Sequence, residues 1–144
     1  MEVMWEYIKM WKPKIDEIML KSLSGEVGSL WLKARDYIER GGKRLRPVMV
    51  LIGAREAGGR EEDVLKLAAA VELIHTFTLI HDDIEDNSEL RRGKPCLHII
   101  HGVPLAINAG DAMFAKAFEL ASEYGGEIVG KLAKTVAEIA EGQE

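Results

Sequence analysis

Four acidic residues lie close together near the middle of this 144-residue chain: Asp82, Asp83, Glu85 and Asp86. Carboxylates at this spacing repel one another unless water or a cation relieves the repulsion. Residues four apart share one face of a helix, so Asp82 and Asp86 would present their carboxylates together. Such a pair suits a hard divalent ion such as Mg²⁺, which shares its coordination with water and substrate phosphates. We therefore predict that Asp82 and Asp86 bind Mg²⁺, with Asp83 as a further ligand or as a support for the site.

Basic residues lie on both sides of this acidic cluster in the sequence. Arg91 and Arg92 follow it closely, and Lys43 and Arg46 lie upstream in the segment GGKRLRP. Guanidinium groups pair well with phosphate oxygens. An acidic cluster alone would fit a solvated helix end equally well. The apolar run before it and the basic pair after it favour a combined site for a metal and an anion.

His75 lies seven residues before Asp82, on the same predicted helical face. A histidine in an apolar helix is more often a core residue hydrogen-bonded to the backbone, but this position favours a role in the site. Glu72 and His75 also form the E-x-x-H pattern of ferritin-like di-iron bundles. Such a site needs a second E-x-x-H, which the sequence lacks. A di-iron bundle is therefore a remote alternative.

Apolar residues recur with a helical period along the chain, and no strand pattern is present. We predict one all-α domain over residues 1–144, an antiparallel helix bundle with short loops. Pro13 should kink or break the first helix, because an interior proline costs about 3 kcal/mol. Further helices are predicted at 27–40, 45–57, 61–86, 97–101, 103–124 and 127–141, with a basic loop at 87–95.

Composition narrows the classes of function. The net charge of −5 and the pI near 5.5 make nucleic acid an unexpected partner. The single cysteine, Cys96, permits no internal disulfide. No run approaches 18 uncharged apolar residues, and no signal-peptide pattern opens the chain. We predict a cytoplasmic protein without stable membrane insertion.

Three sequence blocks occur in an order that resembles the trans-isoprenyl diphosphate synthases, also called polyprenyl synthases. The blocks are GGKRLRP at 41–47, ELIHTFTLIHDDIED at 72–86 and RRGKPCLH at 91–98. The resemblance covers most of this chain but only about the N-terminal half of a family member. The second aspartate-rich motif of the family is absent, since no D-D-x-x-D follows residue 86.

The resemblance implies about half of the isoprenoid synthase fold and a Mg²⁺-dependent prenyltransferase. Such an enzyme condenses isopentenyl diphosphate with an allylic diphosphate. It implies that Asp82, Asp83, Asp86 and Arg91 act in catalysis and that Arg91 contacts the allylic diphosphate. Residues implied to bind isopentenyl diphosphate are Lys43, Arg46, His75 and Arg92. The position of Phe77 is associated in the family with chain growth stopping near C20, as in geranylgeranyl diphosphate synthases.

The last residues of the sequence, Gly142-Gln143-Glu144, correspond to a place where the family's helix continues. We expect that the chain is truncated, or that it is a half-length chain with a partner. It should therefore associate as a homo-oligomer or with a partner chain that supplies the missing half. The alternative is a half-length, non-catalytic or regulatory subunit that binds diphosphates without turnover.

Overall fold

The computed structural model describes residues 2–143 and confirms the predicted all-α fold. Its helices, in chain order, are α1 (Glu2–Ser22), α2 (Gly28–Ala34), α3 (Asp36–Glu39), α4 (Leu45–Glu56), α5 (Leu65–Glu85), α6 (Leu97–His101), α7 (Val103–Ala121) and α8 (Gly126–Gly142). Short 3₁₀ turns at Glu61–Val64 and Ser122–Tyr124 precede α5 and follow α7. The predicted single helix over 61–86 is thus a 3₁₀ turn followed by α5.

Helix α5 is the centre of the fold and packs against α1, α4 and α7. Its alanines at 68–70 are fully buried and allow neighbouring helices to approach closely. By length and composition alone, the segment Glu61–Glu85 could cross a membrane. In this fold the segment contains the central helix α5, which packs against α1, α4 and α7. A core helix can be as long and as apolar as a helix that crosses a membrane.

Helix α1 runs through Pro13 without interruption, so the predicted break is wrong. Residues on both sides of the proline, Trp11 and Ile15, are buried on the face that packs against the rest of the fold. The burial of this continuous apolar stripe offsets the hydrogen bond that proline removes.

The helix predicted over 27–40 is divided at Arg35 into α2 and α3. The division is slight, because hydrogen bonds of the α-helical type continue across it from Arg35 to Trp31 and from Glu39 to Arg35. The Arg35 side chain turns back and donates from Nε to the Leu23 carbonyl, at 2.9 Å.

The basic loop contains a hairpin, which corrects the prediction of no strands. Strands β1 (Leu90–Arg91) and β2 (Lys94–Pro95) pair antiparallel, with Arg91 opposite Lys94. Arg92 and Gly93 form the turn with φ values of 54° and 78°. Positive φ at both central residues is typical of a type I′ turn, which joins two-residue hairpins. A pair of strands this short carries no alternation that a sequence pattern could show.

Helices α7 and α8 end the chain and differ in burial. Helix α7 buries small residues against the core, including Ala106, Ala109 and Gly110. Helix α8 is strongly amphipathic, yet none of its residues within Gly126–Gly142 is buried. Its apolar face therefore remains partly open to solvent.

Candidate functional site

One face of α5 lines a cavity of about 460 Å³, and Asp82 lies on its wall. Val71, His75, Thr78 and Asp82 all line this cavity, so His75 and Asp82 share one face of α5 as predicted, whereas Asp86 is not among the lining residues. Helix α8 forms the opposite wall through Leu132, Thr135, Val136 and Ile139. The cavity is thus an apolar cleft that carries a carboxylate. We call it the apolar cleft.

The carboxylate pair lies at the C-terminal end of α5. Asp86 caps the helix with helical backbone angles, and its N–H donates to the Asp82 carbonyl at 2.8 Å. Asp82 and Asp86 therefore remain one helical turn apart, as predicted. Burial, followed by the charges of Glu85, Asp86 and Asp83, raises the pKa of Asp82. The site holds an excess of negative charge that a cation would relieve.

Within residues 2–143, no group of three or more acidic, histidine or cysteine side chains is placed to hold a metal ion. Asp82 and Asp86 would supply two ligands at most. This donor set fits Mg²⁺, which binds through one or two carboxylates and takes its other ligands from water and phosphate. A metal bound here would depend on a diphosphate to complete its coordination.

Asp83 does not line the apolar cleft and is only 2% exposed. Its Oδ1 accepts from Arg91 Nη2 at 2.7 Å, and its Oδ2 accepts from Arg91 Nε at 2.9 Å and from the Tyr37 hydroxyl at 2.8 Å. Burial opposes ionisation, but hydrogen bonds from Arg91 and Tyr37 outweigh it and lower the pKa of Asp83. Of the two roles predicted for Asp83, this geometry fits the support and not the metal ligand.

The same contacts engage the Arg91 guanidinium. Its guanidinium makes a bidentate pair with Asp83 and lines neither the apolar cleft nor the basic pocket described below. Its side chain is 28% exposed, so it is only partly withdrawn from solvent. Contact with an allylic diphosphate stays a prediction for Arg91.

Tyr37 and Arg40 hold the hairpin against α5, although no sequence pattern assigned either residue to the site. The Tyr37 hydroxyl accepts from the Leu97 N–H at 3.0 Å while it donates to Asp83. Arg40 donates to the carbonyls of Arg91 at 3.1 Å and of Pro95 at 2.8 Å. The tyrosine itself was the only sequence signal for this role, because the hydroxyl of a buried tyrosine needs a hydrogen-bond partner.

The basic residues converge on a second cavity of about 420 Å³, which we call the basic pocket. Its lining includes Lys43, Arg44, Arg46, Glu72, His75 and Arg92. The structure therefore brings the four predicted residues Lys43, Arg46, His75 and Arg92 together from three separate segments of the chain.

Backbone conformation directs these side chains into the basic pocket. Arg44 has a φ of 57°, which is uncommon for a residue other than glycine. Its buried guanidinium donates to Asp16 Oδ1 at 2.6 Å and to the Ile38 carbonyl at 2.9 Å, and these bonds stabilise the turn. A Cβ on Gly42 would lie 2.8 Å from Arg44 Nη1 and 2.9 Å from Arg92 Nη2, so a larger residue there would displace these guanidinium groups.

His75 is neutral in this setting. Burial, followed by the charges of Arg46, Arg92 and Arg91, lowers the pKa of His75 to about 4. Arg46 Nη1 lies 3.3 Å from His75 Nε2. Arg46 can only donate, so Nε2 accepts and the proton lies on Nδ1.

Arg46 and His75 line both the apolar cleft and the basic pocket. The two cavities are therefore neighbours with a shared wall. A ligand in the cleft and an anion in the basic pocket would meet at these two side chains.

Phe77 lies on a different side of α5. Its ring packs edge-on against His81 with the centroids 4.7 Å apart, and it contacts Phe114 of α7 at 5.0 Å. It is not part of the wall of the apolar cleft. The structure does not bring Phe77 together with Asp82, and its role in product length stays a prediction.

Comparison with known proteins gives consistent matches. A family model described as Polyprenyl synthetase matches residues 30–144. A short chain isoprenyl diphosphate synthase of Methanothermobacter thermautotrophicus is 41% identical over 99% of this chain and 46% of its own length. Geranylgeranyl pyrophosphate synthetase from Pyrococcus horikoshii superposes with a TM-score of 0.90 at 39% identity, covering 99% of this chain and 46% of that one.

A polyprenyl synthase from Caulobacter crescentus, complexed with calcium and isoprenyl diphosphate, superposes with a TM-score of 0.89 at 39% identity. It covers 95% of this chain and 43% of that one. The chain spans about half the length of the curated relatives it matches. The predicted half of an isoprenoid synthase fold is confirmed, and the chain belongs to the polyprenyl synthetase family.

Proposed function

We propose that this chain supplies the first aspartate-rich half of a prenyltransferase, which condenses isopentenyl diphosphate with an allylic diphosphate. The observation that carries the proposal is the shared wall formed by Arg46 and His75. It joins an apolar cleft that holds a carboxylate to a pocket rich in guanidinium groups. Few reactions need a long apolar donor and a small anionic acceptor side by side, and head-to-tail prenyl transfer is one of them.

In this arrangement the hydrocarbon chain of the allylic substrate lies in the apolar cleft, with its diphosphate at Asp82 and Asp86. Mg²⁺ bound there would neutralise the charge that develops on the departing diphosphate. The allylic carbon–oxygen bond breaks, the double bond of isopentenyl diphosphate attacks the allylic carbon, and a proton is lost. The isopentenyl diphosphate is held in the basic pocket by Lys43, Arg46 and Arg92.

His75 orients the acceptor side of the reaction. Because its Nε2 accepts from Arg46, the imidazole directs that guanidinium towards the boundary between the two cavities. Its neutral form adds no positive charge and leaves Nδ1–H as a donor. We propose His75 as a substrate-binding residue and not as a general acid at neutral pH.

The finer parts of this proposal concern product and partners. The relatives named geranylgeranyl diphosphate synthases favour a C20 product. The open apolar face of α8 favours association, either with a second copy or with a partner chain that completes the cavity. A cytoplasmic location stays a prediction.

Labelled isopentenyl diphosphate, farnesyl diphosphate and Mg²⁺ provide the test of turnover. We expect incorporation of the label into a longer prenyl diphosphate, whose length chromatography reads. In parallel, calorimetric titration with isopentenyl diphosphate tests binding in Arg46→Ala. Arg46→Ala should bind isopentenyl diphosphate about tenfold or more weakly, which corresponds to about 1.4 kcal/mol, because a charge-assisted contact to phosphate is removed.

Arg60→Ala is the matched control, since Arg60 is exposed and pairs only loosely with Glu62, at 3.8 Å. It should change binding by less than about twofold. If the chain binds diphosphate but does not turn over even when a chain that supplies the missing half is added, the non-catalytic, half-length alternative is the better description. Equal and small effects of both substitutions would refute the basic pocket as the diphosphate site.

A further inference from the structure

Glu72 is a buried carboxylate that the proposed reaction does not use. It lies on α5 one turn before His75, is 3% exposed, and lines the basic pocket. In the part of the chain that the structure describes, its carboxylate makes no hydrogen bond and no ion pair within 4.0 Å. An acid that is almost withdrawn from water on the wall of a cavity lined by arginines needs an explanation.

The charges around Glu72 come from each element packed near it. Those with the strongest effect on it are Arg44 and Arg46 at the start of α4, Arg92 in the hairpin turn, and Asp16 on α1. Lys43 and the neutral His75 also line the pocket. Burial raises the pKa of Glu72, and the three arginines oppose this rise. Four cations facing one small cavity repel one another, and the repulsion is strongest when the cavity holds no anion.

We propose that Glu72 is a built-in counter-charge for the basic pocket. Its carboxylate offsets the repulsion among Arg44, Arg46 and Arg92 while the pocket is empty. Once an anion enters, the same charge repels it, so Glu72 limits the affinity for diphosphate. This inference rests on the proposed function in one respect only, namely that the basic pocket takes a diphosphate.

One consequence distinguishes this role from simple packing. Removing the negative charge with little change of shape should tighten anion binding, because one repulsive charge is gone. The empty protein should stay folded, because burial raises the pKa of Glu72 and so disfavours its charged form in the fold. A carboxylate that served only to fill space would give no gain in affinity.

Glu72→Gln is the test, with inorganic pyrophosphate as the probe in calorimetric titration at low ionic strength. We expect binding roughly three- to tenfold tighter than in the unaltered chain. Thermal unfolding without pyrophosphate should occur at an unchanged or higher temperature, because the charge that burial disfavours is gone, and saturating pyrophosphate should raise that temperature further. Glu56→Gln makes the same change of charge at the far end of α4, on an exposed side chain, and should alter neither quantity.

The double variant Glu72→Gln/Arg46→Gln covers the case in which Glu72→Gln does not fold. It removes one charge of each sign, so it should fold with a stability close to that of the unaltered chain if charge balance is the cause. Failure of both variants to fold would assign Glu72 to packing and overturn the inference. Unchanged or weaker pyrophosphate binding by a folded Glu72→Gln would overturn it as well.

The same titrations keep the two proposals apart. If the unaltered chain does not bind pyrophosphate at all, the basic pocket is not a diphosphate site and the proposed function fails with it. If the unaltered chain binds, and Arg46→Ala weakens the binding while Glu72→Gln leaves it unchanged, only the counter-charge role is refuted.

Discussion

The adjacent residues Asp82 and Asp83 should respond in opposite ways to the same substitution. Asp83 is 2% exposed and accepts hydrogen bonds on both carboxylate oxygens, whereas Asp82 lies on the wall of an open cleft. Asp83→Asn should therefore destabilise the fold, and Asp82→Asn should leave it intact. The pair forms its own control, because the two residues share a helix, a chemical change and a change of charge.

The structure sets the magnitude for Asp83. Removing one partner of a buried ion pair costs about 3–5 kcal/mol. The Arg91 side chain is 28% exposed, so water recovers part of the loss. The introduced amide also brings an N–H₂ group towards the donors of Arg91 and Tyr37. We expect Asp83→Asn to lower the free energy of unfolding by about 2–3 kcal/mol.

For Asp82 the expected sign is reversed. Burial and the neighbouring carboxylates raise the pKa of Asp82, so its charged form is disfavoured in the folded state. Replacing it with asparagine removes that repulsion. The free energy of unfolding at pH 7 should stay within about 0.5 kcal/mol of the original value, or rise slightly.

Urea unfolding followed by circular dichroism at pH 7 measures both variants, and Mg²⁺-dependent binding of pyrophosphate is measured alongside. Asp82→Asn should lose the Mg²⁺ dependence while it remains folded. Asp83→Asn should show a lower midpoint in urea at an unchanged slope. The reasoning is refuted if Asp83→Asn costs less than about 0.5 kcal/mol, or if Asp82→Asn is the more destabilising of the two.

Two further predictions concern His75 and the contact between α5 and α7. Because the pKa of His75 is lowered to about 4 in the fold, the unfolded chain takes up a proton first as pH falls below about 6.5. The free energy of unfolding should therefore fall as the pH is lowered from 6.5 to 4. His75→Gln should make this free energy, measured by urea unfolding, less dependent on pH in that range. An unchanged pH dependence would contradict the lowered pKa of His75. Gly110→Ala should destabilise by about 1–3 kcal/mol, because the added Cβ would lie 2.6 Å from the His81 ring. Gly53→Ala, in α4 with no atom within 4 Å, should instead stabilise by about 1 kcal/mol in the same measurement, and equal effects would refute the close contact.

The linear pattern of residues determined the helices and one face of the site. Helical periodicity is a property of neighbouring residues, so the position of α5 and the common face of His75 and Asp82 could be predicted before any packing was known. The spacing of Asp82 and Asp86 likewise predicted that they lie one helical turn apart. Local chemistry also indicated the basic clusters, since lysine and arginine side by side in an acidic chain stand out in composition alone.

Tertiary structure decided which charges meet. Asp83 differs from Asp82 only by a rotation of about 100° around the helix, but this turns it towards Tyr37 and Arg91 and away from the cleft. No sequence rule separates the two, because the partners of Asp83 lie 46 residues upstream and 8 residues downstream. The persistence of α1 through Pro13 has the same origin, since burial of its apolar stripe outweighs a local preference. The position of Glu72 among three arginines likewise follows only from the packing of α1, α4 and the hairpin around α5, because charges far apart in the chain interact only after folding removes the water between them.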